Sequence, residues 1–215
     1  MTTQTQSSDR KRKIRAILAG GVVLGVGAAV TLAAWNDSVF VQGDFAVGDF
    51  NIQGNVHDGT GWQEYDTAGT AGTMQFVIAP DNLAPGDTVY APVSLRVDPT
   101  ANSYDADIEL RGGEWGLASD DLATALTYTV YTGVTPANCT LQNTTGGTAL
   151  VGPDATLDTG AGTVPGSPAF TLDRGDDPGI EICFAVTLPY GVDMTAVPAN
   201  SEATVVWEFY AEPVS

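Results

Sequence analysis

Two cysteines and one histidine are the residues of this 215-residue chain whose types could most readily do chemistry. Cys139 and Cys183 form an even pair, which favours a disulfide in a protein that leaves the cell. Two free thiols are the alternative. Cys183 lies on the strand face opposite Ile182 and Phe184. A bridge from Cys139 is therefore expected on the outer side of a sheet.

The single histidine, His57, is a poor basis for catalysis. Zinc hydrolases use three protein ligands, usually with two or more histidines, and a general base. The chain contains neither an H-E-x-x-H motif nor the G-x-S-x-G of a serine hydrolase. His57 lies in a polar turn, Asn55–Gly59, where a solvated side chain is expected. The sequence predicts that the protein is not an enzyme and has no catalytic, cofactor-binding or metal-binding residues.

A cluster of aspartates lies in one glycine-containing loop and comprises Asp173, Asp176 and Asp177. Calcium binds several carboxylate oxygens at once, so these residues could hold it. The loop lacks the spacing of an EF-hand, and a solvated acidic loop is the alternative. Calcium is therefore considered, and no cofactor is predicted.

The first 34 residues have the pattern of a signal peptide. Five basic residues lie within Arg10–Arg15, and they precede the uncharged segment Ala16–Ala34. A cationic region before an apolar one is typical of export signals. A retained membrane anchor is the alternative, because the segment is just long enough to span a bilayer. Its Gly- and Ala-rich composition favours cleavage between Ala34 and Trp35, with membrane contact only before that cut.

The remainder of the chain is strongly acidic. From Trp35 onward it has 25 acidic and 3 basic residues, which gives a formal charge of −22. Binding to nucleic acid or to an anionic membrane requires clustered cations that displace counterions. The sequence therefore excludes both as partners of the mature protein.

Apolar residues after Ala34 alternate with polar ones, which is the period of a β-strand with one buried face. Such strands suit two antiparallel sheets packed face to face. Pro92 cannot donate a ladder hydrogen bond, so we expect an edge or a bulge there. One short helix is expected after Ser119. The predicted strands are Val89–Val97, Tyr104–Leu110, Leu126–Tyr131, Ile180–Leu188 and Val205–Ala211, with shorter candidates at Phe45–Ile52, Met74–Ile78, Ala149–Val151 and Phe170–Leu172.

Several motifs resemble those of the TasA/camelysin family. Thr31–Ser38 reads TLAAWNDS and is followed by GDFAVG at Gly43–Gly48. Asn82–Asp87 reads NLAPGD and precedes the alternating run Val89–Val97. A weaker match is Ser119–Leu126, which resembles the family's short helix before a strand. The chain differs from the family pattern in having two cysteines and a shorter middle region.

The resemblance implies a jelly-roll-like β-sandwich that is secreted and assembles into extracellular fibres of a biofilm matrix or cell surface. It also implies a SipW-like signal peptidase as a processing partner and the protein itself as the assembly partner. In such fibres the N-terminal segment of one subunit adds a strand to the next. The expected domains are the signal peptide 1–34, the donor segment 35–52 and the sandwich 53–215. The expected assembly residues are Trp35, Val39, Val41, Phe45, Val47 and Phe50.

Two other functions remain open from the sequence. Part of the family has been described as casein-cleaving metalloproteases, so a camelysin-like secreted metal-dependent endopeptidase is one alternative. The missing zinc motif and the single histidine weigh against it. A monomeric cell-surface protein is the other alternative.

Overall fold

The computed structural model describes residues 10–18, 50–77, 81–100, 104–115, 121–175, 178–197 and 201–214. The chain divides into two units, Met1–Ala46 and Val47–Ser215. In the first unit, residues 10–18 form a helix, α1. No helix among the described residues is both long and apolar enough to cross a membrane. The expected cleavage site and the expected assembly residues before Phe50 lie outside the described ranges.

The second unit is a sandwich of two antiparallel sheets, which confirms the predicted all-β class. One sheet has five strands in the order β1-β2-β7-β4-β5, and the other has three in the order β6-β3-β8. The strands are β1 (Ile52–Asn55), β2 (Thr88–Val97), β3 (Asp105–Trp115), β4 (Thr127–Thr132), β5 (Thr148–Thr156), β6 (Phe170–Leu172), β7 (Ile180–Thr187) and β8 (Val205–Val214).

Alternation along the strands creates the core between the sheets. Val93 and Leu95 of β2, Ile182 and Phe184 of β7, and Ile108 of β3 are all buried in one hydrophobic cluster. Burial of one large apolar side chain stabilises the fold by about 1.5–3 kcal/mol. The charged residues between them lie on the outer faces, which explains how so acidic a chain keeps an apolar interior.

The helices are short and more numerous than expected. The described residues contain α2 (Asp121–Ala125), a 3₁₀ turn (Ala68–Thr70) and α3 (Pro136–Thr140). The expected helix corresponds to α2, but α3 was missed, so the expectation of one short helix was incomplete. Thr135 caps α3 by accepting a hydrogen bond from the Asn138 amide, and a proline follows the cap. That threonine–proline pair was the signal that could have identified it.

Some predicted strands differ from the structure. β1 begins at Ile52, and residues 74–77 are not a strand. Pro92 lies in β2, which is interior in the strand order. However, β1 pairs only with residues 94–97 of β2, so β7 is the only described strand beside Pro92. The missing proline N–H is tolerated because no described strand needs it on the other side, where the Val77 amide bonds to the Tyr90 carbonyl.

The strand pairs form a nested series. β4 pairs with β5, β3 with β6, and β2 with β7, all antiparallel. A jelly roll is such a nest of antiparallel pairs divided between two sheets. The next pair outward would join β1 to β8, but β1 pairs with β2 instead. The described part of the chain therefore lacks the outermost pair of the nest.

A disulfide joins Cys139 to Cys183, with 5.6 Å between their Cα atoms. It packs with Val134, Tyr90 and Tyr131 in a small cluster separate from the main core. The predicted pairing and its position on the outer side of the sheet are both confirmed. The bridge ties α3 to β7, and a disulfide of this kind is typical of proteins that fold in an oxidising compartment.

Replacing both cysteines, Cys139→Ala with Cys183→Ala, should lower the free energy of unfolding by about 4 kcal/mol on the chain-entropy model. The cross-link closes a loop with a sequence separation of 44 residues, and its loss frees the unfolded chain. Chemical denaturation followed by tryptophan fluorescence measures this change. Adding reductant should destabilise the wild type and leave the double variant unaffected. Equal midpoints for wild type and variant would contradict the prediction.

Candidate binding site beside strand β8

Strand β8 has one partner among the described residues. It pairs antiparallel with β3 along its length, with a register shift between Arg111 and Glu114 of β3. No described strand pairs with its other edge, where the outermost pair of the nest would lie. An unpaired edge presents backbone N–H and C=O groups to any extended segment that can reach it.

The hydrogen bonds of β3 show which β8 groups face the open edge. The Leu110 amide donates to the Ala161 carbonyl, and the Ile108 carbonyl accepts from the Ala169 amide, so both residues direct their backbone groups away from β8. Backbone groups alternate in direction along a strand. Glu109 and Arg111 therefore bond to β8, through their register partners Tyr210 and Glu208.

It follows that Phe209 and Ala211 direct their backbone N–H and C=O groups to the open edge. Pro213 has the same parity, and it has no N–H to leave unpaired. A proline at an exposed edge is the usual position for that residue in a sheet. The N–H donors available on this edge therefore precede Pro213.

The side chains of β8 that face the core are incompletely covered. Val205, Trp207 and Phe209 pack against the main core but remain only partly buried. By contrast, Phe184 on the opposite sheet is 1% exposed, and Leu110 on the neighbouring strand is fully buried. Apolar surface left open in this way gains free energy, about 25 cal/mol per Å², when another segment covers it.

A cleft of about 760 Å³ runs between β8 and the β1–β2 side of the opposite sheet. Phe184, Val93 and Leu95 form its floor, where it reaches the buried core. The cleft is therefore an opening of the sandwich interior. Its other lining residues are Asn51, Ile52, Gly54, Val56, Glu64–Ala68, Ala71, Gly72, Met74, Arg111, Gly112, Glu114 and Val205–Val206–Trp207–Glu208–Phe209.

An aromatic group forms the β8 wall of the cleft. The Trp207 ring lies 5.6 Å from that of Tyr128 and 5.3 Å from that of Phe184, measured between centroids. The Trp207 Nε1 donates to the Leu157 carbonyl at 3.1 Å. These contacts fix the indole, so the wall is rigid before any ligand arrives.

The register shift in β3 brings the Leu157 carbonyl close to Trp207. Two glycines, Gly112 and Gly113, lie between Arg111 and Glu114. The Gly113 amide donates to the Leu157 carbonyl at 2.7 Å, and a Cβ on Gly112 would collide with the backbone of Asp158. Only glycine permits so close an approach of the two chain segments. The bulge and the Trp207 position thus depend on each other.

Charge at the cleft is predominantly negative. The acidic lining residues are Glu64, Asp66, Glu114 and Glu208, and Arg111 is the one basic residue in the described part of the lining. Glu64 Oε1 accepts a hydrogen bond from the Asn51 side-chain Nδ2 at 2.8 Å, which partly satisfies that carboxylate. The mouth of the cleft is therefore acidic, whereas its floor is apolar.

This geometry can accept one extended peptide strand. The edge of β8 offers alternate backbone groups, and the cleft offers an apolar slot for the side chains on one face of the incoming strand. Affinity in this mode comes from main-chain hydrogen bonds, and register comes from the alternate side chains.

His57 lies elsewhere, on the outer face of the five-stranded sheet. Its Nε2 is 3.0 Å from the Ser94 hydroxyl, and Ser94 is 3% exposed. Burial lowers the pKa of His57, although Glu181 opposes this. The expected solvated histidine is thus wrong: the side chain is half-buried and hydrogen-bonded, because the turn folds back over β2.

Of the aspartates considered for calcium, Asp173 is exposed, whereas Asp176 and Asp177 lie outside the described residues. Among the residues that are described, no group of three or more His, Cys, Asp or Glu side chains could hold a metal ion.

Sequence patterns identified part of this site. The alternation of β8 correctly placed Val205, Trp207 and Phe209 on one face. Phe50, which was expected as an assembly residue, does not line the cleft and packs against the core of its own subunit. The lining residues Glu64 and Met74 were missed, since both lie in irregular segments without a period. Pairing along β8 was also not predictable, because a strand's own residues do not reveal its neighbours.

No protein-family model matches the chain, and no match was found among curated proteins. The function must therefore be argued from the open edge and the cleft.

Tyr128 packs against Trp207 in the aromatic wall of the cleft, and the ionisation of its hydroxyl tests how deeply that wall is buried. Its hydroxyl donates to the Thr159 carbonyl. Burial, assisted by the nearby Asp158 charge and opposed by Trp207, raises the pKa of Tyr128 from 10.0 to about 12. The unfolded chain loses this proton near pH 10, so folding stability should fall between about pH 10 and about pH 12, by on the order of 1–2 kcal/mol.

Urea denaturation at several alkaline pH values measures this loss. The matched control is Tyr128→Phe, which cannot ionise at that position and should show a shallower decline. Burial also raises the pKa of Tyr90. Its contribution is common to both proteins and cancels in the comparison. Parallel pH profiles for wild type and Tyr128→Phe would show that Tyr128 does not hold its proton in the folded state.

Proposed function

We propose that this protein is a secreted, non-enzymatic structural subunit that assembles into extracellular fibres by donating a β-strand to its neighbour. The observation that carries the proposal is the open edge of β8 above a cleft whose apolar walls are only partly buried. No described strand covers that edge of the sandwich, and a second copy of the chain can supply one.

The strand nest supports this reading. With β2–β7, β3–β6 and β4–β5 present, the position beside β8 that no described strand fills is the one that a first strand would occupy. The chain's own β1 pairs with β2. A first strand from another subunit would therefore complete both the sheet and the core of its acceptor.

The segment before β1 has the pattern required of such a strand. Val39, Val41, Phe45 and Val47 all have odd numbers, so in an extended conformation they share one face. The nine residues 39–47 are comparable in length with the ten of β8. The apolar face would enter the cleft, and the backbone would pair with the edge groups of Phe209 and Ala211.

Export and processing belong to the same proposal. A cationic run, an apolar segment and the small residues before Trp35 resemble a SipW-type signal peptide of the TasA/camelysin family. Cleavage between Ala34 and Trp35 would free the donor segment from the membrane. Each subunit then has one donor and one acceptor, and such a head-to-tail contact propagates without closing.

The donor face is tested by two variants of the protein that begins at Trp35. Phe45→Asn places a polar side chain on the odd-numbered face, and it should abolish filaments in electron micrographs. Phe40→Asn makes the same chemical change on the opposite face and should leave filaments intact. The contrast arises because burying an unpaired amide costs about 1–3 kcal/mol, whereas an exposed one costs little.

The acceptor is tested with Ala211→Pro, which removes one edge N–H of β8 and obstructs pairing there. Alone, this variant should not polymerise. Mixed with Phe45→Asn, it should form one-to-one dimers, because one chain retains a donor and the other retains an acceptor. Circular dichroism checks that both variants fold.

The outcomes separate the alternatives. A wild type that remains monomeric would contradict the proposal and favour a monomeric surface protein. Equal loss of filaments in Phe40→Asn and Phe45→Asn would contradict the assigned face. Chelator-sensitive cleavage of casein by the wild type, lost in His57→Ala, would instead favour the camelysin-like endopeptidase.

A further inference from the structure

The walls of the cleft and the segment proposed to fill it have charges of the same sign. Among the described residues, the charged side chains that line the cleft are four acids and one base, Arg111. The donor segment 35–50 contains Asp37, Asp44 and Asp49 and no basic residue. Docking would therefore bring together groups that repel each other.

Arg111 does little to offset this repulsion because its guanidinium already pairs with carboxylates of the same subunit. Its guanidinium is 2.9 Å from a Glu208 carboxylate oxygen and 3.8 Å from one of Glu109, and it lies 3.9 Å above the Tyr210 ring. The hydrogen bond to Glu208 is the largest cause that raises the pKa of Arg111. An incoming aspartate would have to compete with partners that are already in place.

The whole subunit adds to the effect. From Trp35 onward the formal charge is −22, and only three bases contribute. Two such subunits repel each other at separations up to about the Debye screening length of the solution. That distance is about 10 Å at 0.1 M salt and about 3 Å at 1 M salt.

We propose that ionic strength controls strand exchange at this site: the acidic cleft keeps subunits apart in dilute salt and admits the donor strand when the charges are screened. The inference rests on the proposed function and names its regulation. Apolar burial and β-pairing supply the attraction under both conditions, and the salt concentration determines whether repulsion prevents the encounter.

The experiment follows assembly of the protein beginning at Trp35 by light scattering and electron microscopy, in NaCl from about 0.1 M to about 1 M. We expect the lowest protein concentration that gives filaments to fall by at least about tenfold across this range. MgCl₂ at matched ionic strength should produce the same onset, because the effect is screening and not a bound ion.

Matched variants separate local charge at the cleft from total charge. Glu64→Gln with Glu114→Gln removes two charges from the cleft lining. Asp154→Asn with Asp173→Asn removes two charges from exposed positions that do not line it. The cleft pair should assemble at clearly lower salt than the remote pair, although both have the same net charge.

Each outcome bears on one claim. Filaments that form equally well at all salt concentrations would overturn the inference and leave the proposed function standing. Identical salt onsets for the two double variants would overturn it as well, since the cleft acids would then have no special part. An onset that depends on Mg²⁺ instead of ionic strength would replace screening with ion binding. The absence of filaments under every condition would count against the proposed function itself.

Discussion

One edge of β8 has no partner among the described strands, and the rest of the site depends on this constraint. A sandwich is stable when both faces of its core are covered, yet Trp207 and Phe209 face the core and remain partly open. Backbone groups of Phe209 and Ala211 are directed to the same opening. Hydrogen-bonding potential and apolar surface thus coincide at one strand, and a single extended segment can satisfy both.

The remaining structure holds that opening in shape. The Gly112–Gly113 bulge brings the Leu157 carbonyl to the Trp207 indole, and Tyr128 and Phe184 support the ring from the core. On the outer face, the disulfide ties α3 to β7. A preformed cleft loses little conformational entropy on binding, so more of the interaction energy contributes to affinity.

The sequence predicted the sandwich, the disulfide and most long strands, because a period of two and an even cysteine count are local signals. It also predicted which face of β8 is apolar. It did not predict the open edge, the one-turn helix α3 or the burial of His57. Each of these depends on segments distant along the chain. β1 could have paired with β8 but pairs with β2. The turn that contains His57 is polar in sequence, yet His57 lies against Ser94 of β2.

Residue-resolved hydrogen exchange tests the central claim most directly, by comparing assembled wild type with monomeric Phe45→Asn. Tyr210 and Glu208 bond to β3 in both forms, so their amides should be equally protected. The amides of Phe209 and Ala211 face the open edge, and they should exchange rapidly in the monomer and slowly in the assembly. Equal exchange of these two amides in both forms would contradict a strand docked beside β8.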